Sequence, residues 1–168
     1  RNPDYLLLIG DNVYADRNSS GVISGGVTPE ILWNRYVDVR LNLPLYFQEK
    51  LIPTHATWDD HDYASDNMDG NLSYKKESQS LYLDFLGEPA DSPRRKQEGI
   101  YYSYDFNSDG KKVKVIMLDN RYFKNLDPEA PLLGKAQWEW LENELKNSTA
   151  SLHFFVTGLS IHSPLIRY

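Results

Sequence analysis

The chain has 168 residues, 40% hydrophobic and 25% charged, a composition ordinary for a soluble globular protein of about one domain. A net charge of −6 excludes a field that would gather a nucleic-acid backbone or an anionic membrane. The absence of cysteine excludes disulfides and thiolate metal sites, and no apolar run approaches the ~20 residues needed to span a bilayer.

In chain order, "YLLLIGD" (5–11) reads as a buried strand whose carboxyl end carries an acid. "RNSSGVISGGV" (17–27) reads as an exposed loop. Thr28 is the expected N-cap of a helix with Pro29 at its first position, running to about Leu41, and Leu32, Tyr36, Val39 and Leu43 recur at helical spacing. Pro44 breaks it, and a short second helix follows. "IPTHATWDD" (52–60) is strand-like and again ends in acids. "SYKKESQSLYLDFLG" (73–87) predicts an amphipathic helix stopped by Gly87, and residues 87–99 a polar loop. Residues 100–121 predict a hairpin turning at Asn107–Gly110, with Val113, Val115 and Met117 on one face. A helix over 134–148, with Trp138, Leu141 and Leu145 as its apolar stripe, and a strand and turn over 151–163 complete the series.

Strands thus alternate with helices, the pattern of an α/β or mixed αβ sheet protein. The chain opens without a methionine and stops directly after an apparent strand, so a single domain segment over 1–168, incomplete at both ends, is expected.

Three strand ends carry polar clusters: Asp11, Asp59 to Asp62, and Asp119 to Arg121. Sites in open αβ sheets lie beyond the carboxyl ends of strands, so the three clusters are expected to meet. In "GDNVYAD", Gly10 permits close backbone approach, Asp11 offers a hard oxygen, and Tyr14 can curl back toward the same point. The competing reading makes Asp11 a cap and Tyr14 core. In "TWDDHDY", three aspartates and a histidine occupy four positions behind Trp58. Neighbouring carboxylates repel by about 1 kcal/mol per pair in water at 4 Å, and a cation reverses the sign. The alternative there is a solvated acidic turn. Arg121 can clamp an oxyanion or pair with Asp119. "GLSIH" (158–162) half resembles a nucleophile elbow, but His162 replaces the second glycine that the turn requires.

The motifs "LLLIGDNVYAD", "ATWDDHDYASDN", "VIMLDNRYF" and "LGKAQWEWLENEL" together resemble, in order and spacing, those of the alkaline phosphatase D (PhoD-like) metallophosphatases. The chain departs from that pattern at Ala64, where glycine is usual, and at Asp66–Asn67, where the order is reversed. The resemblance implies a calcineurin-like fold of two sheets between helices, and metal-dependent hydrolysis of phosphate mono- or diesters. It implies a di- or multinuclear centre, Fe3+ with Ca2+ or other divalent metals. Asp11 corresponds to the bridging ligand and Tyr14 to the iron-ligating tyrosine. Asp60, or Asp59 one place earlier, corresponds to a further metal ligand. His61 corresponds to the residue that contacts phosphate or protonates the leaving group, with Arg121 as a substrate-binding candidate. The resemblance also implies export. The alternative from another class is a non-catalytic binding domain of the same fold with an incomplete metal site.

Overall fold

The computed structural model describes residues 3–47, 52–127 and 129–160. Strand β1 (Leu6–Ile9) pairs in parallel with β4 (Thr54–Thr57), Leu6 opposite Thr54 and Ile9 opposite Thr57. Strand β5 (Tyr102–Ser108) turns at Asp109–Gly110 into antiparallel β6 (Lys111–Met117), and β7 (Leu152–Val156) adds in parallel beside β6.

Alternation along the strands sets the layers. Leu8 and Ala56 face helices α1 (Pro29–Asn42) and α3 (Lys75–Leu86), joining Leu32, Tyr36, Tyr82 and Leu83 in the main core. Tyr5 and His55 point the other way, onto the second sheet. His55 stacks on Tyr104 with ring centroids 3.5 Å apart, and Tyr5 reaches Phe106 at 5.6 Å. Helix α4 (Gly134–Lys146) covers the far face through Ile116, Leu118 and Leu141. The order is helices, sheet, sheet, helix: the expected two sheets between helices.

Local signals produced the expected elements. The Thr28 hydroxyl caps α1 by accepting from Ile31 N–H, with Pro29 next. Gly87 ends α3 at φ +72°, a conformation that favours glycine. Pro44 divides α1 from a short 3-10 turn, Pro44–Phe47.

Five expectations need correction. Strand β1, expected to be buried, leaves Leu7 and Ile9 exposed and Leu6 and Leu8 only partly covered. The loop at 17–27 contains a small hairpin, β2 (Arg17–Asn18) and β3 (Gly21–Val22), made by backbone pairing that polar side chains do not announce. The 87–99 loop includes a 3-10 turn, Pro93–Arg95, capped by the Ser92 hydroxyl. The strand expected through Asp60 ends at Thr57, and Asp60–Tyr63 forms one helical turn, α2. On α4, Trp138 and Leu145 are exposed, whereas Gln137 is fully buried beside Leu141. Gln137 is held there by donating to the Asp119 and Leu133 carbonyls and accepting from Asp119 N–H. The expected turn at residues 161–163, with His162, lies outside the described residues. No described helix is long and apolar enough to cross a membrane.

Candidate metal centre

The parallel pairing of β1 with β4, and of β6 with β7, sends two pairs of strand ends in common directions. Polar clamps bring the pairs together. Thr57 Oγ1 donates to the Leu118 carbonyl at 2.7 Å, and Trp58 Nε1 donates to Asp119 Oδ1 at 2.8 Å. Two glycines let the backbones touch. A Cβ on Gly10, whose φ is +104°, would lie 2.8 Å from Asp59 Cβ, and one on Gly158 would lie 2.4 Å from the Trp58 carbonyl oxygen. The loops after β1, β4 and β7 therefore converge.

Just beyond Gly10, Asp11 adopts φ +51°, in the left-handed region that a non-glycine residue rarely occupies. Asp62 holds this loop in place. Fully buried, it accepts from Asn12 and Val13 N–H through Oδ1 and from Asp59 N–H through Oδ2, each at 2.9 Å. Burial pushes its carboxyl up to about 6 against the opposing effect of those bonds. Asp62 thereby ties the β1 loop to the α2 turn.

The other members of the α2 turn point elsewhere, because successive helical residues are rotated by about 100°. Ligand atoms of Asp11, Asp60 and His61 all lie within 4.8 Å of one another. Tyr14 joins them: its hydroxyl donates to Asp11 Oδ2 at 3.2 Å, and its ring lies over His61 with centroids 4.2 Å apart. Asp59 abuts this group but is bound to Arg121, whose Nε donates to Asp59 Oδ1 at 2.5 Å. Arg121 Nη2 also lies 3.5 Å from Asp60 Oδ1, and the guanidinium is nearly fully buried. The geometry thus brings Asp11, Tyr14, Asp60 and His61 together, with Asp59 and Arg121 as a charge pair at their edge.

One residue of this region, Asp16, was not singled out in the sequence, and another, Asp119, was expected in the site or paired with Arg121. Asp16 is buried and meets His61 Nδ1 through Oδ1 at 2.8 Å, leaving Nε2 turned toward Asp66 Oδ1 at 3.8 Å. Its place two residues after Tyr14 in "YAD" was the available signal. Asp119 is fully buried and accepts from Trp58 Nε1 and from the Arg121, Tyr122 and Ile100 backbones, so its carboxylate belongs to the scaffold.

The donor set fits a hard cation. The Asp11 carboxyl is shifted above the usual range, first by partial desolvation and then by Asp59 and Asp60. Asp11 in turn raises the Tyr14 phenol. Crowded negative charge contributes to the Asp11 shift after desolvation and leads the Tyr14 shift, and a bound cation would reverse that contribution. Oxygen ligands with one imidazole suit iron, calcium and manganese.

A family model described as PhoD-like phosphatase matches residues 1–163. A search of the curated proteins finds no match. Among solved structures, one titled "Structure of PhoD" superposes with a TM-score of 0.68 at 20% identity, covering 92% of this chain and 36% of that one. The chain therefore spans about a third of the length of that structure. The family match over nearly the whole sequence, the shared two-sheet fold and the converging acidic strand ends agree: this chain belongs to the PhoD-like phosphatase family.

Proposed function

We propose that this chain forms part of a metal-dependent phosphoric ester hydrolase acting on mono- or diesters. The observation that carries the reading is the meeting of Asp11, Asp60 and His61, with Tyr14 bonded to Asp11, beyond the converging strand ends. In this reading Asp11, Tyr14 and Asp60 would hold the cations, with Asp59 beside them in its pair with Arg121. A phenolate favours a strongly Lewis-acidic metal, so ferric iron with calcium is the proposed pairing, and carboxylates accept other divalent metals as well. Cations bound there supply charge neutralisation for the phosphoryl group and an acidified water as nucleophile.

The chain's own residues do the rest. Asp16 fixes the His61 ring through Nδ1, so that Nε2–H can donate to the departing oxygen. Arg121, anchored by Asp59, directs its remaining guanidinium N–H groups at phosphoryl oxygens, exchanging the long contacts to the Met68 carbonyl and Asp60. Gly10 and Gly158 keep the loops close enough for these groups to act on one atom. Export belongs to the same proposal and rests on family membership.

The test combines metal analysis with hydrolysis of a chromogenic aryl phosphate and its diester, iron and calcium being supplied. Asp11→Asn is expected to abolish metal retention and turnover while leaving circular dichroism unchanged. Tyr14→Phe is expected to bleach any ferric–phenolate absorbance. Unchanged metal content in Asp11→Asn refutes the ligand assignment. Metal binding without turnover, with iron and calcium both supplied, supports the non-catalytic binding domain instead.

A further inference from the structure

The α2 turn that carries Asp60 and His61 is too short to hold itself. It closes through Tyr63 N–H on the Asp59 carbonyl at 2.9 Å and Ala64 N–H on the Asp60 carbonyl at 2.8 Å. The carbonyls of His61, Asp62 and Tyr63 belong to the last turn of a helix, where no donor of the helix itself reaches. Each is met from a different element. Ala15 N–H, in the loop after β1, donates to the His61 carbonyl at 3.4 Å. The Tyr36 hydroxyl, on α1, donates to the Asp62 carbonyl at 2.5 Å. The Ser78 hydroxyl, on α3, donates to the Tyr63 carbonyl at 2.5 Å.

The two hydroxyls are the short bonds of this set. Tyr36 and Ser78 are both fully buried, so loss of either hydroxyl leaves a buried carbonyl without its donor. The Tyr36 ring is itself fixed, stacked on Phe85 at 4.8 Å between centroids and meeting Tyr82 edge-on at 6.0 Å. Burial, and then Asp62, push its phenol well above the usual range, so it keeps the proton that it donates. Asp62 is the residue whose carboxylate anchors the Asn12–Val13 backbone. Through this one residue, Tyr36 reaches both the α2 turn and the loop of Asp11.

We propose that Tyr36 and Ser78 are positioning residues for the metal centre: from the helical layer they fix the rotation of the α2 turn, and so aim Asp60 and His61 at Asp11. Side chains one apart on a helix differ in direction by about 100°, so a rotation of the turn moves the Asp60 and His61 ligand atoms together. Neither hydroxyl bonds a ligand atom; both act through the backbone of the turn. The inference rests on the metal-centre reading for its consequence, and not on turnover.

The experiment compares Tyr36→Phe, Ser78→Ala and the double variant, which remove the hydroxyls and keep the ring stacks and the helices. Two quantities are read: calcium affinity by calorimetric titration, and the His61 imidazole N–H signal in metal-free, 15N-labelled protein, identified by its loss in His61→Gln. Each single variant is expected to bind calcium about tenfold more weakly, and the double variant more weakly still. The His61 signal is expected to move in all three as the ring shifts against Asp16. Leu141→Val, in the separate core under α4, supplies a comparable loss of stability and is expected to change neither quantity. The proposal is overturned by parental calcium affinity and a parental His61 signal in the folded double variant, or by the same changes in Leu141→Val. A parent that binds no calcium refutes the metal-centre reading instead, and the His61 signal then decides the positioning by itself.

Discussion

Replacing Asp62 is the most direct probe of how the metal centre is held. Its two oxygens accept three backbone N–H groups, from Asn12, Val13 and Asp59. Asp62→Ala strands all three. An orphaned buried donor costs about 1–3 kcal/mol. Of these bonds only the one from Val13 is wholly buried, while Asn12 and Asp59 are partly open to water. Removing the carboxylate also relieves the desolvation that pushes its pKa up to about 6. A net loss of about 3 kcal/mol is therefore expected, read as a lower urea midpoint at unchanged m-value. Asp62→Asn retains one acceptor oxygen but sets an amide N–H2 against a backbone donor, so its loss should be about half as large. Both variants should also bind metal more weakly, because the Asn12–Val13 anchor holds Asp11 in its left-handed conformation. A stability for Asp62→Ala within about 0.5 kcal/mol of the parent would refute the clamp, as would an asparagine variant weaker than the alanine one.

Three further outcomes follow from the same geometry. Asp16→Asn removes the charge behind His61, so kcat on an aryl phosphate should fall about 10–100-fold with KM little changed, and an unaltered kcat would remove Asp16 from the site. Gly158→Ala drives a methyl group to 2.4 Å from the Trp58 carbonyl, so thermal unfolding should show a loss of about 1–3 kcal/mol, and parental stability would mean that the loops do not touch as described. Lys114 bonds Glu144 at 2.8 Å and Asp105 at 3.2 Å. The Asp105 carboxyl is lowered first by the Lys112 hydrogen bond and then by Lys114, and for Glu144 the bonds from Lys114 and Ser103 outweigh the burial that alone would raise it. Both acids have depressed folded values, so their stabilisation is present above the unfolded values of 3.8 and 4.5 and lost as pH falls through the folded ones. Lys114→Met should flatten that acid limb of the stability curve and lower stability at neutral pH by about 1–2 kcal/mol. An acid limb identical to the parent's would contradict the pairing.

Much of the fold was legible because its signals are local. Thr28 before Pro29, Gly87 after an amphipathic run, and Asp109–Gly110 between alternating strands each act within a few residues. The β2–β3 hairpin was not legible, since backbone pairing alone makes it. The inward face of α4 was misread because a buried glutamine counts as polar until its partners, the Asp119 backbone and the Leu133 carbonyl, are known. In the site, the Tyr14 bond to Asp11 spans three residues and was anticipated. The Asp16 bond to His61 spans 45 and was not.

By itself the sequence determined that carboxylates gather at strand ends, and that Asp11 and Tyr14 share one loop. It could not apportion the crowded run from Asp59 to Asp62. One helical turn sends those side chains in different directions, and only the packing of four strand ends decides what each one meets. In the folded chain Asp59 meets Arg121, Asp60 and His61 meet Asp11, and Asp62 meets the backbone of the neighbouring loop. Asp59 and Asp62 tolerate the crowding because a guanidinium and backbone N–H groups about fifty to sixty residues away meet them, whereas Asp60 is met by the Asn67 N–H and stays beside Asp11.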